Sequence, residues 1–342
     1  RSGFKMTKRR KTFCRSVLFL VAAMLSVSLI CSCSNKKDTV MKIGGFDVSF
    51  EHYRYLYMNI RDELLSSEND YTAEELDTQI RDTVMKSLKH YASISELAKN
   101  KKISLTSDDS AYIDELVNET ISDYGSEEEF QNALREAYST EDFFRYALEL
   151  QQLETKLRSY MTSEATGELA ADDATIENDV YKNFYRAKQV LIKNDNGKSK
   201  TQNLELANKI LSDALSGENF DTLIEEYSED TTGGDYCFTA GQLLEEFENA
   251  VSSISSGEIY SEVVETEVGY HIVMRTDITE DYINSHFDDL RSAYLARRFN
   301  ETLTKYSDTL EVKKEEIYDT LTEQNFILGS VTIVSSDSLD TK

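Results

Sequence analysis

"TEVGYHIVMRTD", Thr266 to Asp277, alternates Tyr270, Ile272 and Met274 with His271, Val273 and Arg275. A period of two predicts a β-strand. The stretch carries one of only four histidines in the chain. Read alone, His271 is a strand histidine with a satisfied hydrogen bond. No second His or Cys stands nearby at ligand spacing, and His286 falls beyond it on an expected helix, so no metal site is expected. Whether His271 does more depends on what surrounds it.

Working backwards, "IYSEVVET" (Ile259–Thr266) reads as the strand that pairs with the opening stretch. Leu243 to Ile254 is a short helix ending at Gly257, and "TTGGD" (Thr231–Asp235) is a glycine turn. Phe220–Tyr227 and Leu204–Leu215 are helices, the latter closed by Gly217. "YRAKQVLI" (Tyr185–Ile192) is a strand, followed by the loop "KNDNGKSKTQ", whose Lys193, Lys198 and Lys200 read as a solvated loop. The order is β-α-α-α-β-β.

Both flanks are helical. "VMKIGGFDVS" (Val40–Ser49) is a hairpin turning at Gly44-Gly45. Phe50, Tyr53, Tyr57, Ile60 and Leu64 then recur on one helical face. "TAEE" (Thr72–Glu75) is a capping box opening a helix with Leu76, Ile80, Val84, Leu88 and Tyr91 inward. "TSDD" at Thr106, "SEEE" at Ser126 and Thr140 open three more, and Ser163–Asp173 reads as a boundary. Beyond the strands, Ile283, Phe287, Leu290, Tyr294, Phe299, Leu303, Tyr306 and Leu310 form a stripe that a lone helix cannot bury. Its expected partner is the N-terminal helical region, which makes the β-containing part an insert in an α+β chain.

Composition narrows the function. The 342 residues are enough for two domains, there is no proline, and the net charge is −26. Residues 1–32 hold seven basic residues and no acid, so the rest is more acidic still and is a poor nucleic-acid binder. "KRRK" (Lys8–Lys11) precedes "VLFLVAAMLSVSLI" (Val17–Ile30), 14 residues that are too few to span a bilayer but suit a signal-peptide core. "ICSC" (Ile30–Cys33) resembles a bacterial lipobox. Ser32 before Cys33 makes Cys33 the expected acylated residue, with Cys31 as the alternative and an ordinary signal peptide as the third reading. A chain anchored at Cys33 keeps only Cys237, so no internal disulfide is expected.

Four pieces between Arg186 and Thr276 resemble the parvulin family of peptidyl-prolyl isomerases: "GENFDTLIEEYSED" (Gly217–Asp230), "GGD" (Gly233–Asp235), "GQLLEEFENAV" (Gly241–Val251) and "SGEIYSEVVETEVGYHIV" (Ser256–Val273). With a lipid anchor and "KIGGFDVSFEHYRY" opening a helical domain, the whole resembles extracytoplasmic foldases of the PrsA type and, more distantly, SurA-type chaperones. The resemblance implies a signal peptide over 1–32, a linker over 33–39, helical chaperone regions over 40–182 and 280–324 around a parvulin domain at 183–279, and a tail over 325–342. It also implies a proline pocket floored by Leu243 and Phe247, with Phe238 and Tyr236 as further walls. Under that pocket it implies a polar cluster of Asp230, Thr266 and His271. The family's first histidine is replaced here by Gln189, which can donate and accept but cannot become charged. Cys237 reads as a small apolar filler.

The expected function is a membrane-anchored extracytoplasmic foldase that isomerises X-Pro bonds of unfolded, newly exported polypeptides without a cofactor. The alternatives are a holdase whose parvulin domain binds with weak or no turnover, and a solute-binding lipoprotein. The helix-rich flanks argue against the last.

Overall fold

The computed structural model describes residues 39–66, 71–164 and 167–330. The expected signal peptide, Cys31, Cys33 and most of the linker lie outside the described residues, as does the chain from 331 on. Two compact units result: one gathers the chain up to Glu168 with the part from Phe299 on, and the other is Leu169–Arg298.

In the first unit, β1 (Thr39–Ile43) and β2 (Phe46–Ser49) form the expected hairpin, and β7 (Val312–Lys314) pairs with β1 on its other side. The sequence reading does not include β7, a three-residue "VKK" with no period to detect. Five helices follow the hairpin: α1 (Phe50–Ser66), α2 (Ala73–Asn100), α3 (Ser107–Tyr124), α4 (Glu127–Glu136) and α5 (Glu141–Thr162). Thr72 with Glu75 and Thr106 with Asp109 make reciprocal capping boxes, while Ser126 and Thr140 cap α4 and α5. Ile80, Val84, Leu88 and Tyr91 line the buried side of α2. α1 buries more than one stripe: His52, Tyr55, Leu56 and Met58 are enclosed along with Phe50, Tyr53 and Tyr57, while Ile60 and Leu64 are only half-buried. The short α12 (Glu323–Leu328) buries Phe326 completely, and Arg54 Nε donates to the Phe326 carbonyl at 2.6 Å. Asn325 and Phe326 are therefore packed and not frayed, while 327–330 are exposed.

The second unit is built on an antiparallel sheet of order β4-β3-β6-β5. β3 (Tyr185–Lys193) and β6 (Gly269–Thr276) pair along eight positions, from Arg186 opposite Thr276 to Lys193 opposite Gly269. β4 (Asp235–Phe238) forms one edge, and the two-residue β5 (Val264–Glu265) forms the other. Helices cover both faces, which explains why "VLI" (Val190–Ile192) is apolar throughout instead of alternating. On one face Val190, Ile192, Tyr270 and Ile272 pack on α7 (Lys200–Leu215) and α8 (Phe220–Tyr227). On the other, Ala187, Phe238 and Val273 pack on Phe247, Ala250 and Val251 of α9 (Glu245–Ser253).

The compact unit extends beyond 183–279 at both ends. α6 (Asp173–Asn183) contributes Ile176 and Val180, which pack with Phe184 against Ile283, Leu290 and Tyr294. The last three belong to α10 (Glu280–Ser285) and α11 (Phe287–Ser307), into which the expected single stripe is divided at His286. Only from Phe299 on does that stripe belong to the first unit. A helical period shows which face of a helix is buried, but not what buries it.

One glycine fixes the register of β6. A Cβ on Gly269 would stand 2.1 Å from the Ile192 carbonyl oxygen. Gly269→Ala is expected to lower the stability of the second unit by more than about 2 kcal/mol. A thermal melt of the full chain tests this: the variant's transition shifts down, and an unchanged curve contradicts the assigned contact.

Candidate active site

Strand register places the polar cluster. On β3 and β6, Leu191 faces His271 and Gln189 faces Val273, so Gln189 and His271 are diagonal neighbours on the α9 side of the sheet. Both are buried, with exposures of 6% and 4%. Thr266 follows β5, and its N–H donates to the Gly269 carbonyl at 2.9 Å, closing the turn that brings its hydroxyl beside the imidazole. Asp230 arrives on the loop after α8. Gly234 makes that approach possible: its φ is +71°, and a Cβ there would be 2.6 Å from the Gln189 carbonyl oxygen.

Each hydrogen bond in the cluster runs in one direction only. Gln189 Nε2 donates to Asp230 Oδ2 at 2.7 Å, because a carboxylate can only accept. Gln189 Oε1 therefore points at His271 Nδ1, 2.6 Å away, and must accept from it. With its proton on Nδ1, His271 leaves Nε2 bare to accept from the Thr266 hydroxyl at 2.7 Å. The imidazole is thus a single neutral tautomer, assigned from its partners. Burial pushes its pKa down to about 4, against the pull of the Asp230 and Glu246 charges.

Asp230 is well satisfied. Its Oδ1 accepts from the Thr232 N–H at 2.9 Å and hydroxyl at 2.7 Å, and its Oδ2 accepts from Tyr236 Oη at 2.6 Å as well as from Gln189. Burial works against this charge, but the donors from Tyr236, Thr232 and Gln189 outweigh it and hold the carboxyl below its usual range. Thr232 is absent from the sequence reading, although Asp-x-Thr is an Asx-turn signal. Tyr236, expected as an apolar wall, also serves as a donor in the polar network.

Above the cluster lies an aromatic layer. The Phe247 ring meets His271 edge-on at 5.8 Å, Tyr236 at 6.4 Å and Phe238 at 6.0 Å between centroids. Leu243 packs against the same group but does not share a helix face with Phe247, because the helix begins only at Glu245. The loop carrying it is held differently: the Glu248 carboxylate accepts from the N–H groups of Gly241, Gln242 and Leu243 at 2.7–2.8 Å. Leu243 is consequently a half-buried wall on a clamped loop. Cys237 lies on the opposite side of β4 with Phe287 and Leu290, and burial pushes its thiol up to about 12, which leaves it protonated and unreactive. Among the described residues no group of three metal-ligating side chains occurs, and no helix is long and apolar enough to cross a membrane.

The site thus combines a buried aromatic layer with a charge-satisfied polar base that is half-exposed at Asp230, and it contains no activated nucleophile. It has no arrangement for covalent chemistry.

Two protein-family models match the chain. Residues 175–279 match the PPIC-type PPIase domain, and residues 5–158 match the SurA-like N-terminal domain. The chain is 31% identical to foldase protein PrsA 1 of Bacillus cereus over 41% of its own length and 46% of that protein's. It is 27% identical to foldase protein PrsA of Oceanobacillus iheyensis over 63% of its length and 70% of that protein's. The chain thus spans less than half of the first relative. Among solved structures, PrsA from Bacillus subtilis aligns at 25% identity over 75% of this chain and 96% of that one, with a TM-score of 0.28.

The depressed histidine pKa has a sign that can be tested. The unfolded chain takes up a proton near pH 6.5 and the folded one only near 4, so stability falls as pH drops through that window. Denaturant melts at about pH 7 and pH 4.5 are expected to show the second unit losing about 2 kcal/mol more in the wild type than in His271→Leu. Equal losses would contradict the buried neutral imidazole.

Proposed function

We propose that this chain, which carries a PPIC-type peptidyl-prolyl isomerase domain and a SurA-like N-terminal domain, is an extracytoplasmic foldase that turns over X-Pro bonds in unfolded, newly exported polypeptides. The observation carrying this reading is the aromatic layer of Phe247, Phe238 and Tyr236 packed on the Gln189–His271–Thr266 chain.

The reaction requires no bond to break. Amide resonance opposes rotation by about 18–20 kcal/mol, and the twisted form is less charge-separated than the planar one. A dry apolar recess therefore disfavours the planar state more than the twisted one. In this reading Phe247, Phe238, Leu243 and Tyr236 hold the proline ring, while Asp230, Gln189, Thr266 and His271 form the base that keeps the recess in shape. Gln189 adds a constraint: with His271 fixed as one neutral tautomer, the base contributes no ionisation to turnover between about pH 5 and 8. Anchoring of the membrane-facing end through Cys33, or Cys31, belongs to the same reading and is tested by the mass of the mature N-terminus.

A second reading keeps the binding and drops the turnover. It is favoured by the same Gln189, which replaces a histidine able to exchange protons with His271. The two readings separate on the cis/trans exchange rate of a proline tetrapeptide with the full chain. We expect catalysed exchange that is flat from about pH 5 to 8 and a loss of at least about tenfold in Phe247→Ala. Uncatalysed exchange, with aggregation of a client still suppressed, would favour the holdase. Undiminished exchange in Phe247→Ala would remove the pocket assignment.

A further inference from the structure

β4 pairs with β3 only from Tyr185 to Lys188, so the same edge of β3 has no strand partner from Gln189 on. The residues leading into Asp230 fill that edge. The Gly234 carbonyl accepts the Gln189 N–H at 2.8 Å, and Ser228 Oγ accepts the Leu191 N–H at 3.1 Å. The Glu229 N–H donates to the Leu191 carbonyl at 2.8 Å, and Glu229 Oε2 accepts the Lys193 N–H at 2.6 Å. One side chain thus completes a ladder that a strand would otherwise supply. Ser228 Oγ also accepts the Asp230 N–H at 3.3 Å.

Glu229 is held from its other side by the loop "KNDN" (Lys193–Asn196), which the isomerase reading does not use. Asn196 Nδ2 donates to the two Glu229 oxygens at 3.1 and 3.0 Å and to Asn203 Oδ1 at 3.1 Å. Its Oδ1 accepts the Lys198 N–H at 3.1 Å and Asn203 Nδ2 at 3.2 Å. The carboxylate can only accept, so the Asn196 amide has one orientation, as Gln189 has. Asn203 on α7 is fully buried and also donates to the Lys193 carbonyl at 3.0 Å. The same loop reaches the turn that carries Thr266. The Asn194 N–H donates to the Val268 carbonyl at 3.0 Å and its Nδ2 to the Glu267 carbonyl at 3.2 Å, while Thr266 Oγ1 accepts the Val268 N–H at 3.2 Å.

We infer that Glu229, Asn196 and Asn194 are positioning residues for the polar base. Asp230 and Thr266 lie at opposite ends of the Asp230–Gln189–His271–Thr266 chain. Each stands on a loop rather than within a strand. The short segment after β3 ties down both loops: Asn196 through Glu229, next to Asp230, and Asn194 through the backbone of the Thr266 turn. None of the three touches the imidazole, and their effect on it passes through Asp230 and Thr266. The effect on rate rests on the isomerase reading, whereas the placement of Asp230 and Thr266 does not.

NMR of the full chain labelled with ¹⁵N-glutamine and ¹⁵N-histidine, run beside the exchange of a proline tetrapeptide, tests this. Asn196→Asp sets one carboxylate against another and breaks the clamp. It is expected to move the Gln189 side-chain amide resonances, which report the bond to Asp230, and to lower kcat/KM at least about tenfold. Asn196→Asp with Glu229→Gln returns a donor facing an acceptor. It is expected to restore the resonances and bring the rate to within about threefold of the wild type. Should Asn196→Asp fail to fold, Asn194→Asp removes only the donor to the Glu267 carbonyl and is expected to move the His271 Nε2 resonance through Thr266. Unmoved Gln189 resonances in Asn196→Asp, a double variant as impaired as the single one, or an unmoved His271 in Asn194→Asp would overturn the assignment. A wild-type chain without catalysed exchange, whose Gln189 resonances still move in Asn196→Asp and return in the double variant, would refute the isomerase and leave the positioning roles standing.

Discussion

The second unit's site depends on the orientation of one amide. Gln189 stands between a carboxylate that can only accept and an imidazole that must then give. Reversing it would set the amide oxygen against Asp230 and the amide nitrogen against His271, breaking the bond to Asp230 outright. Every proton downstream follows from this: Nδ1–H on His271, the bare Nε2, and the Thr266 hydroxyl turned toward it. A buried network is worth having only when it is fully satisfied, and this one is. Its one formal charge, on Asp230, takes four donors, so no unpaired charge lies under the aromatic layer.

That base lets the aromatic layer above it stay apolar. Aromatic rings over an unsatisfied polar group would draw in water. Here the polar atoms are turned toward one another, and Phe247 can lie edge-on to a neutral ring. The replacement of a histidine by Gln189 removes one proton-carrying group but not a hydrogen-bonding position. A pocket that acts by shape and desolvation tolerates that loss, whereas a mechanism needing proton exchange does not.

Much of this was legible in the sequence, where local chemistry and period coincide. The caps at Thr72, Thr106, Ser126 and Thr140 open helices where expected, and β3 and β6 are where alternation or apolar runs placed them. The cluster of Gln189, Asp230, Thr266 and His271 came from motif resemblance, and the structure brings all four together. What escaped was set by tertiary context. β4 and β7 are too short to carry a period, and they exist because β3 and β1 offer them an edge. Leu243 fell outside its helix because Glu248 ties up the N–H groups that precede it. The long C-terminal stripe was correctly apolar, yet its first half packs on Ile176, Val180 and Phe184, contacts no local pattern encodes.

One NMR experiment reaches the central claim, that a pocket with a single locked neutral imidazole still turns over proline. The full chain is labelled with ¹⁵N-histidine and given a saturating proline tetrapeptide. The account predicts catalysed cis/trans cross-peaks in the peptide together with an unchanging His271 pattern, protonated at Nδ1 and bare at Nε2, from about pH 5 to 8. A His271 that exchanges between tautomers or becomes imidazolium in that range, or a peptide that binds without accelerated exchange, would contradict it.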